Sequence, residues 1–350
     1  MGMVRTSILS ELLGYRSSGA QNERIANAQN ELLICMTGQP VDEEMIRTWS
    51  PIAGNLEGCI ARFLNDGLLE EASVQEKLDK KYRVNDLKAL LEGHDVKAKG
   101  KKSELISLLI EINSPQMVEE LVSGIRLYKA TDKGRMLIDS YLLDKQRARE
   151  IMEVDTMDSL LKQDLKKAVG SIMKFRTQMS LTGKDIEEIP ALSLKVASKL
   201  LSYKYDELTL NEKQRREIGA QLALSALLCE SLEDAGERLL RASYDVFSWE
   251  TMIDYLKITS LCYCSGSSVE KPEEMAELYA HKYMLKAQSE ADLESLSSAH
   301  IGRGVKIFPA KGSSCLTCYS GKSEYLWSEL DRIPAVPGHL GCHCKYVAWI

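Results

Sequence analysis

The chain has 350 residues and a formal net charge of −6 at pH 7, which argues against a wholly basic protein that coats nucleic acid. Hydrophobic residues make up 44% of the sequence, and few Phe and Trp beside many Leu, Ala, Lys and Glu predict a mainly α-helical, multidomain protein. No apolar run reaches the roughly 18 residues that a transmembrane helix needs, and no signal-peptide pattern opens the chain. We therefore expect a cytoplasmic protein without membrane contacts, whose nine cysteines are reduced or bound to metal.

Two segments of the N-terminal region predict a helix, a short hairpin and a second helix. Residues 55–70 have the pattern of a helix that ends in Asp66-Gly67-Leu68-Leu69 and continues into a strand. Residues 127–138 have the pattern of a returning strand followed by another helix. The hydroxyl of Thr131 can cap that second helix, which is expected to begin near Asp132.

This arrangement resembles the winged-helix domains of many bacterial proteins, in which the recognition helix runs into the first wing strand. The resemblance implies DNA binding, with Arg62 and Asn65 near the recognition helix touching DNA. It extends from about Val4 to Leu143. The alternative is a generic helical domain with one short hairpin.

Residues 82–112 predict two amphipathic helices joined by a basic turn. Asn85 or Asp86 is expected to cap the first helix, Gly100 to form the turn, and Ser103 to lie near the start of the second helix. Lysines presented beside the amides of a helix N-terminus make a phosphate-binding surface. The lysines of this turn are Lys97, Lys99, Lys101 and Lys102.

The same segment resembles a SAP domain, a small helix–extended–helix module of DNA-associated proteins. The family implies binding of double-stranded DNA through the second helix and the turn before it. The residues of this chain that match the DNA-contacting positions are Lys99, Gly100, Lys101 and Lys102. We interpret residues 1–143 as a winged-helix-like domain with a SAP-like insertion at 82–112. The alternatives are a solvated basic hairpin and a module used for protein contact. The match is carried by Val84, Leu87, Leu90, Leu91, Val96 and Gly100-Lys101-Lys102-Ser103-Glu104-Leu105-Ile106.

Residues 144–300 predict a helical domain with no evident chemistry, which could bind a protein partner or form a homo-oligomer. Cys262 and Cys264 could supply a second thiolate pair for a metal or could be buried free thiols. An acidic stretch in this domain is interpreted as a solvated helix face: Glu230, Glu233, Asp234 and Glu237.

Residues 301–350 have the spacing of a tetrahedral zinc site. Cys315 and Cys318 form one close pair, and Cys342 and Cys344 follow, with His339 just upstream. Four such ligands without an open position indicate a structural zinc ion. The fourth ligand is Cys344 or, as the alternative, His339.

The C-terminal segment also resembles the tail of tailed-phage head-morphogenesis (minor capsid) proteins, which have a Cys pair, then Pro, His and Cys-X-Cys. The matching residues include Pro337, Gly338 and His339. That family commonly has Arg between its last two cysteines, where this chain has His343. The resemblance implies a shared zinc knuckle and a phage or prophage origin, and does not imply a shared function.

Three functional hypotheses follow. The first is a DNA-binding accessory or regulatory protein of bacterial or phage origin, stabilised by zinc. The second is a protein-interaction or assembly protein. The third is a metal-dependent nuclease that uses His339 and His343 beside zinc. The absence of P-loop, GxGxxG, GxSxG and HExxH motifs favours a protein that is not an enzyme.

Overall fold

The computed structural model of the chain describes residues 20–92, 99–205, 210–242, 272–308, 323–337, 342 and 344–350. The protein is mainly helical, with 70% helix and small sheets, which confirms the predicted fold class at this level. It divides into two compact units, Met1–Arg149 with Phe175–Ile186, and Glu150–Lys174 with Glu187–Ile350. None of the helices in the described ranges combines the length and the apolar composition needed to cross a membrane.

The described part of the first unit begins with α1 (Ala20–Met36), α2 (Glu43–Ala53) and α3 (Leu56–Asn65). Side chains cap the last two helices: the backbone N–H of Met45 donates to Asp42 Oδ1 at 2.8 Å, and that of Gly58 donates to Asn55 Oδ1 at 3.0 Å. These caps satisfy amides that a helix start leaves without partners.

Strands β1 (Leu69–Glu71) and β2 (Tyr128–Ala130) form a two-stranded antiparallel sheet, with Leu69 opposite Ala130. The segment after α1 also joins β2, through single bridges from Thr37 to Tyr128 and from Pro40 to Leu127. One apolar core unites the three helices and this sheet. Its buried residues are Leu32, Leu33, Met36, Val41, Leu56, Cys59, Ile60, Phe63, Leu68, Leu69, Tyr128 and Leu137.

Between β1 and β2, the described residues form α4 (Val74–Lys81), α5 (Val84–Glu92), α6 (Lys102–Ile112) and α7 (Pro115–Val122). They enclose a separate core, so the inserted element is larger than the SAP-like segment 82–112. Helix α5 begins before its expected cap, because the Asp86 carboxylate accepts from the Arg83 N–H at 2.8 Å from within the first turn. The buried residues of this core are Leu78, Leu87, Leu91, Leu105, Ile106, Leu109, Val118 and Val122.

Helix α8 (Asp132–Leu161) begins after β2 and is followed by α9 (Leu165–Met179). The expected cap of α8 is confirmed, since the N–H of Gly134 donates to Thr131 Oγ1 at 3.1 Å. The Thr131 hydroxyl in turn donates to the carbonyl oxygen of Gly67 at 2.6 Å. One side chain therefore joins the end of α3 to the start of α8.

The second unit contains α10 (Ala191–Ser202), α11 (Glu212–Leu228), α12 (Leu232–Ala242) and α13 (Pro272–Ser298). Its C-terminal part is a three-stranded antiparallel sheet with β3 (Gly304–Phe308) between β4 (Glu324–Leu326) and β5 (Lys345–Trp349). A short 3-10 helix, Trp327–Arg332, follows β4. The core of this sheet consists of Val305, Ile307, Tyr325, Val336, Cys342, Cys344 and Tyr346.

Candidate nucleic-acid interface and metal centre

The turn before α6 has a fixed backbone. Gly100 has a φ of +125°, and a Cβ at this position would lie 2.1 Å from Glu104 Oε2. That same carboxylate oxygen accepts from the backbone N–H of Lys101 at 2.9 Å. Because glycine alone adopts this backbone conformation without strain and leaves room for the Glu104 carboxylate, the turn requires Gly100.

Two of the predicted lysines project from this turn. Lys99 and Lys101 are exposed, and neither forms an ion pair with a carboxylate in the described part of the chain. Lys101 directly precedes the first helical residue of α6, where the helix dipole is positive. Two ammonium groups beside a helix N-terminus form a surface that suits phosphate oxygens.

Lys102 has a different role. Its Nζ lies 3.1 Å from Asp79 Oδ1 and donates to the backbone oxygen of Asp79, so the side chain connects α6 to α4. About a third of the Lys102 side chain is exposed. Lys97, the fourth predicted lysine, lies outside the described residues.

The two predicted contacts on α3 also differ. Asn65 is exposed at the end of the helix. Arg62 is half-buried, with Nη2 3.9 Å from Cys59 Sγ and the guanidinium 6.0 Å from the ring centre of Phe63. Arg62 therefore packs along its own helix, and of these two residues Asn65 is the one that α3 presents to solvent.

An ion pair that sequence reasoning missed connects α3 to the approach to β2. Arg126 donates to both carboxylate oxygens of Glu57 at 2.7 Å, a bidentate geometry. This hydrogen bonding lowers the pKa of Glu57 and raises the pKa of Arg126. The two residues are 69 positions apart, so neither the charge pattern nor the spacing signals the pair.

A cleft of about 510 Å³ lies in the first unit beside α4, α6 and β2. Its charges are largely balanced, because Glu76 lies 3.4 Å from Lys129 Nζ and Asp79 pairs with Lys102. A polyanion would therefore gain little electrostatic binding energy in this cleft. The exposed lysines at the N-terminus of α6 are the better candidate for phosphate contact.

Only short segments of the chain carry the SAP-like and winged-helix-like resemblances. Comparison of the whole chain with protein-family models, curated proteins and solved structures found no match. Both resemblances, and the one to the phage head-morphogenesis tail, therefore stay predictions.

At the candidate zinc site, Cys342 and Cys344 are both buried, with 4% and 3% of their surface exposed. One residue separates them in the sequence, and Cys344 directly precedes β5. They lie in the apolar core of the C-terminal sheet. Cys315, Cys318 and His339 lie outside the described residues.

The ends of three strands lie at one end of the C-terminal sheet. β3 ends there at Phe308 and β4 begins there at Glu324. β5 begins at the same end, since Lys345 is opposite Phe308. Cys344, which directly precedes Lys345, therefore lies beside the end of β3.

A tyrosine holds the chain before the second cysteine pair in place. The Tyr346 hydroxyl donates to the carbonyl oxygen of Pro334 at 2.7 Å and accepts from the N–H of Val336 at 3.2 Å. The described residues hold no group of three or more His, Cys, Asp or Glu suited to a metal. Two buried thiols that are one residue apart in the sequence fit half of a thiolate-rich zinc site.

The possible second thiolate pair, Cys262 and Cys264, also lies outside the described residues. Cys229 is exposed at the end of α11, with its Sγ 3.6 Å from Ser193 Oγ.

Proposed function

We propose that the protein is a DNA-binding accessory or regulatory protein of bacterial or phage origin, with a C-terminal module stabilised by a structural zinc ion. The observation that carries the DNA-binding proposal is the turn before α6, which exposes Lys99 and Lys101 at a helix N-terminus. Double-stranded DNA presents regularly spaced phosphates that such a surface can contact.

The order of elements in the first unit supports a winged-helix-like arrangement. A helix, a bridge to β2, two more helices, β1, β2 and a long helix follow in sequence. In this reading α3 is the recognition helix, and the four-helix insertion replaces the tip of the wing. Both α3 and the insertion adjoin the β1–β2 hairpin, so Asn65 and the lysine turn are the contacts we assign to DNA.

These contacts are expected to give affinity with little sequence preference. Lysine binds phosphate as a point charge and reads no base edge. Asn65 is the one assigned residue with an amide, which could read a base. Lys102 is not assigned a phosphate, because its ammonium group already pairs with Asp79.

The DNA-binding prediction is tested by replacing Lys99 and Lys101 together with Gln. We expect the slope of log K against log salt for a labelled duplex to fall by about 0.9 for each lysine, because each phosphate contact releases counterion. Fluorescence anisotropy at several salt concentrations measures that slope. The matched control is Lys166→Gln with Lys167→Gln, two exposed lysines in the first turn of α9, which should leave the slope unchanged.

Lys102→Gln tests whether this lysine stabilises the fold or contacts phosphate. We expect the variant to keep the salt slope of the wild-type protein. It should lower the stability of the insertion by up to about 1 kcal/mol, the usual range for a partly exposed ion pair. If the Lys99 and Lys101 double variant keeps the wild-type slope of log K against log salt, these lysines do not contact the DNA phosphates. No binding at low salt would contradict DNA binding itself.

The nuclease alternative has a direct test in the same assay. His339 and His343, which it needs, lie outside the described residues. We expect the duplex to stay intact when Mg²⁺ or Zn²⁺ is added to the complex. Cleavage that His339→Ala abolishes would replace the proposal with metal-dependent hydrolysis.

A further inference from the structure

A second cleft, named here the α8–α11 cleft, has a volume of about 560 Å³. Every residue that lines it belongs to the second unit. The last residues of α8 and α10 and the first residues of α9 and α11 are part of the lining. The volume is within the range of pockets that bind small molecules, about 300–1,000 Å³. None of the residues assigned above to DNA or to zinc lines this cleft.

Leucine side chains supply the apolar part of the lining. Leu160 and Leu161 come from the end of α8, Leu165 from the start of α9, and Leu201 from the end of α10. Leu160 is buried, and Leu161 keeps 39% of its surface exposed. Such side chains contact the carbon body of a ligand and offer it no hydrogen bond.

Cationic side chains outnumber carboxylates in the same lining. Lys204 is exposed and forms no ion pair in the part of the chain that the structure describes. Arg216 is already paired with Glu212, the lining carboxylate. Two positive charges of the lining are therefore not neutralised. The charged lining residues are Lys204, Glu212, Arg215 and Arg216.

The backbone orients the second of these free charges. Arg215 Nε donates to the carbonyl oxygen of Leu210 at 3.1 Å, and the arginine side chain is half-buried. Among the described residues, this bond leaves the Arg215 nitrogens Nη1 and Nη2 without a partner. A guanidinium with two such nitrogens binds two oxygens of one phosphate or carboxylate. Because its position is already fixed, less side-chain entropy is lost when an anion binds.

A polar side chain reaches the cleft from an unfavourable backbone conformation. Gln163 follows α8 with a φ of +57°, where glycine is the usual residue. Its N–H donates to the carbonyl oxygen of Leu160 at 2.8 Å, and that of Asp164 donates to Ser159 at 2.9 Å, as in a Schellman helix end. Glycine would fit this position with less strain, but it would not supply the amide that lines the cleft.

We propose that the α8–α11 cleft binds an organic phosphate monoester. Such a phosphate carries a charge of about −1.5 to −2 at neutral pH, which matches the free charges of Lys204 and Arg215. The leucines contact the carbon body of the ligand, and the Gln163 amide hydrogen-bonds to its polar groups. A single carboxylate would neutralise only one of the two cations. The site is independent of the DNA-binding and zinc proposals, so it can succeed or fail separately.

Isothermal titration calorimetry of the full-length protein at about pH 8 tests this site. The probes are adenosine 5′-monophosphate and 1-naphthyl phosphate, which share the phosphate monoester and differ in the carbon body. We expect at least one of them to bind at a single site with a dissociation constant below about 1 mM. The matching compound without phosphate, and inorganic phosphate without a body, should each bind about tenfold or more weakly. Failure of both probes to bind, or equal affinity for inorganic phosphate, would overturn the proposal.

Substitutions locate the bound phosphate. Lys204→Gln removes an exposed charge that holds no other group, and it should weaken binding about tenfold. Arg215→Lys keeps the charge, loses the paired nitrogens and should weaken binding to a similar degree. The matched control is Lys213→Gln, an exposed lysine of α11 that does not line the cleft and should leave the affinity unchanged. Unchanged affinity in Lys204→Gln, or an equal loss in Lys213→Gln, would overturn the assignment.

Gln163→Gly tests the amide without risk to the fold. Glycine adopts the observed φ more readily than glutamine, so the variant should be at least as stable as the wild-type protein in urea unfolding. We expect it to bind adenosine 5′-monophosphate about threefold or more weakly, because a hydrogen bond to the ligand is lost. A variant that binds this probe as tightly as the wild-type protein would contradict the role given to Gln163.

Discussion

Removal of zinc from the full-length protein is expected to unfold the C-terminal module while the first unit stays folded. Structural zinc sites bind with about 10–16 kcal/mol of apparent free energy, and that energy contributes to folding when the site does not exist in the unfolded chain. The described residues of the module form short strands and a small core that includes both Cys342 and Cys344. Its own apolar burial is therefore a minor source of stability.

Hydrogen exchange after chelation measures this effect by segment. The amides of Ile307 and Arg303, which donate to Ser323 and Trp349, should lose protection. Amides in α1 to α3 should keep theirs. Native mass spectrometry should find one zinc ion for each chain before chelation. Exchange in β3 and β5 that chelation leaves unchanged would contradict a structural zinc ion.

Single substitutions assign the ligands. Cys342→Ser is expected to abolish stoichiometric zinc and to expose the same amides, whereas Cys229→Ser, at an exposed cysteine outside the sheet, should change neither. Cys344→Ser and His339→Ala separate the two candidates for the fourth ligand, because only the true ligand lowers zinc content. Full zinc retention in Cys342→Ser would show that the buried thiols are core residues.

Local signals in the sequence predicted several features that the structure confirms. The predominance of helix follows from composition, and the Thr131 cap and the Gly100 turn each depend on residues within a few positions. Such features are readable because their physical causes are local. The expectation that DNA or zinc binds at these sites remains a prediction, since the comparisons found no relative that carries it.

Contacts between distant residues could not be predicted. The inserted core is larger than the segment 82–112 because Leu78 and Val118 enter it from helices on either side. Lys102 pairs with Asp79, which lies 23 positions earlier in the chain. The sequence of the basic turn therefore could not show that one of its lysines is held in an ion pair.

The acidic stretch of the second unit needs a correction at one residue. Glu233, Asp234 and Glu237 are exposed, as a solvated face requires. Glu230 is not, because its side chain is only 13% exposed and pairs with Arg238. The interpretation as a solvated face was wrong for Glu230, which lies in an ion-pair network where Arg238 also contacts Glu153 of α8.

Arg238→Met is expected to destabilise the second unit by about 3–5 kcal/mol, the cost of leaving a buried charge without its partner. Arg238 Nε donates to Glu230 Oε2 at 2.9 Å, and Nη1 donates to Glu153 Oε2 at 3.0 Å. The hydrogen bonds to Glu230 and Glu153 raise the pKa of the Arg238 guanidinium. Without the arginine, two carboxylates stay in a site that excludes most water, with side chains 13% and 25% exposed.

Urea unfolding measures this loss, and two further variants identify its cause. Arg241→Met removes an exposed arginine one turn later on the same helix and should cost within about 0.5 kcal/mol. Adding Glu153→Gln and Glu230→Gln to Arg238→Met removes the two carboxylate charges and should recover part of the stability, because neutral groups tolerate burial better than charged ones. Equal effects of Arg238→Met and Arg241→Met would show that the ion-pair network contributes no more than a surface charge. A triple variant no more stable than Arg238→Met would instead assign the loss to the packing of the arginine stem.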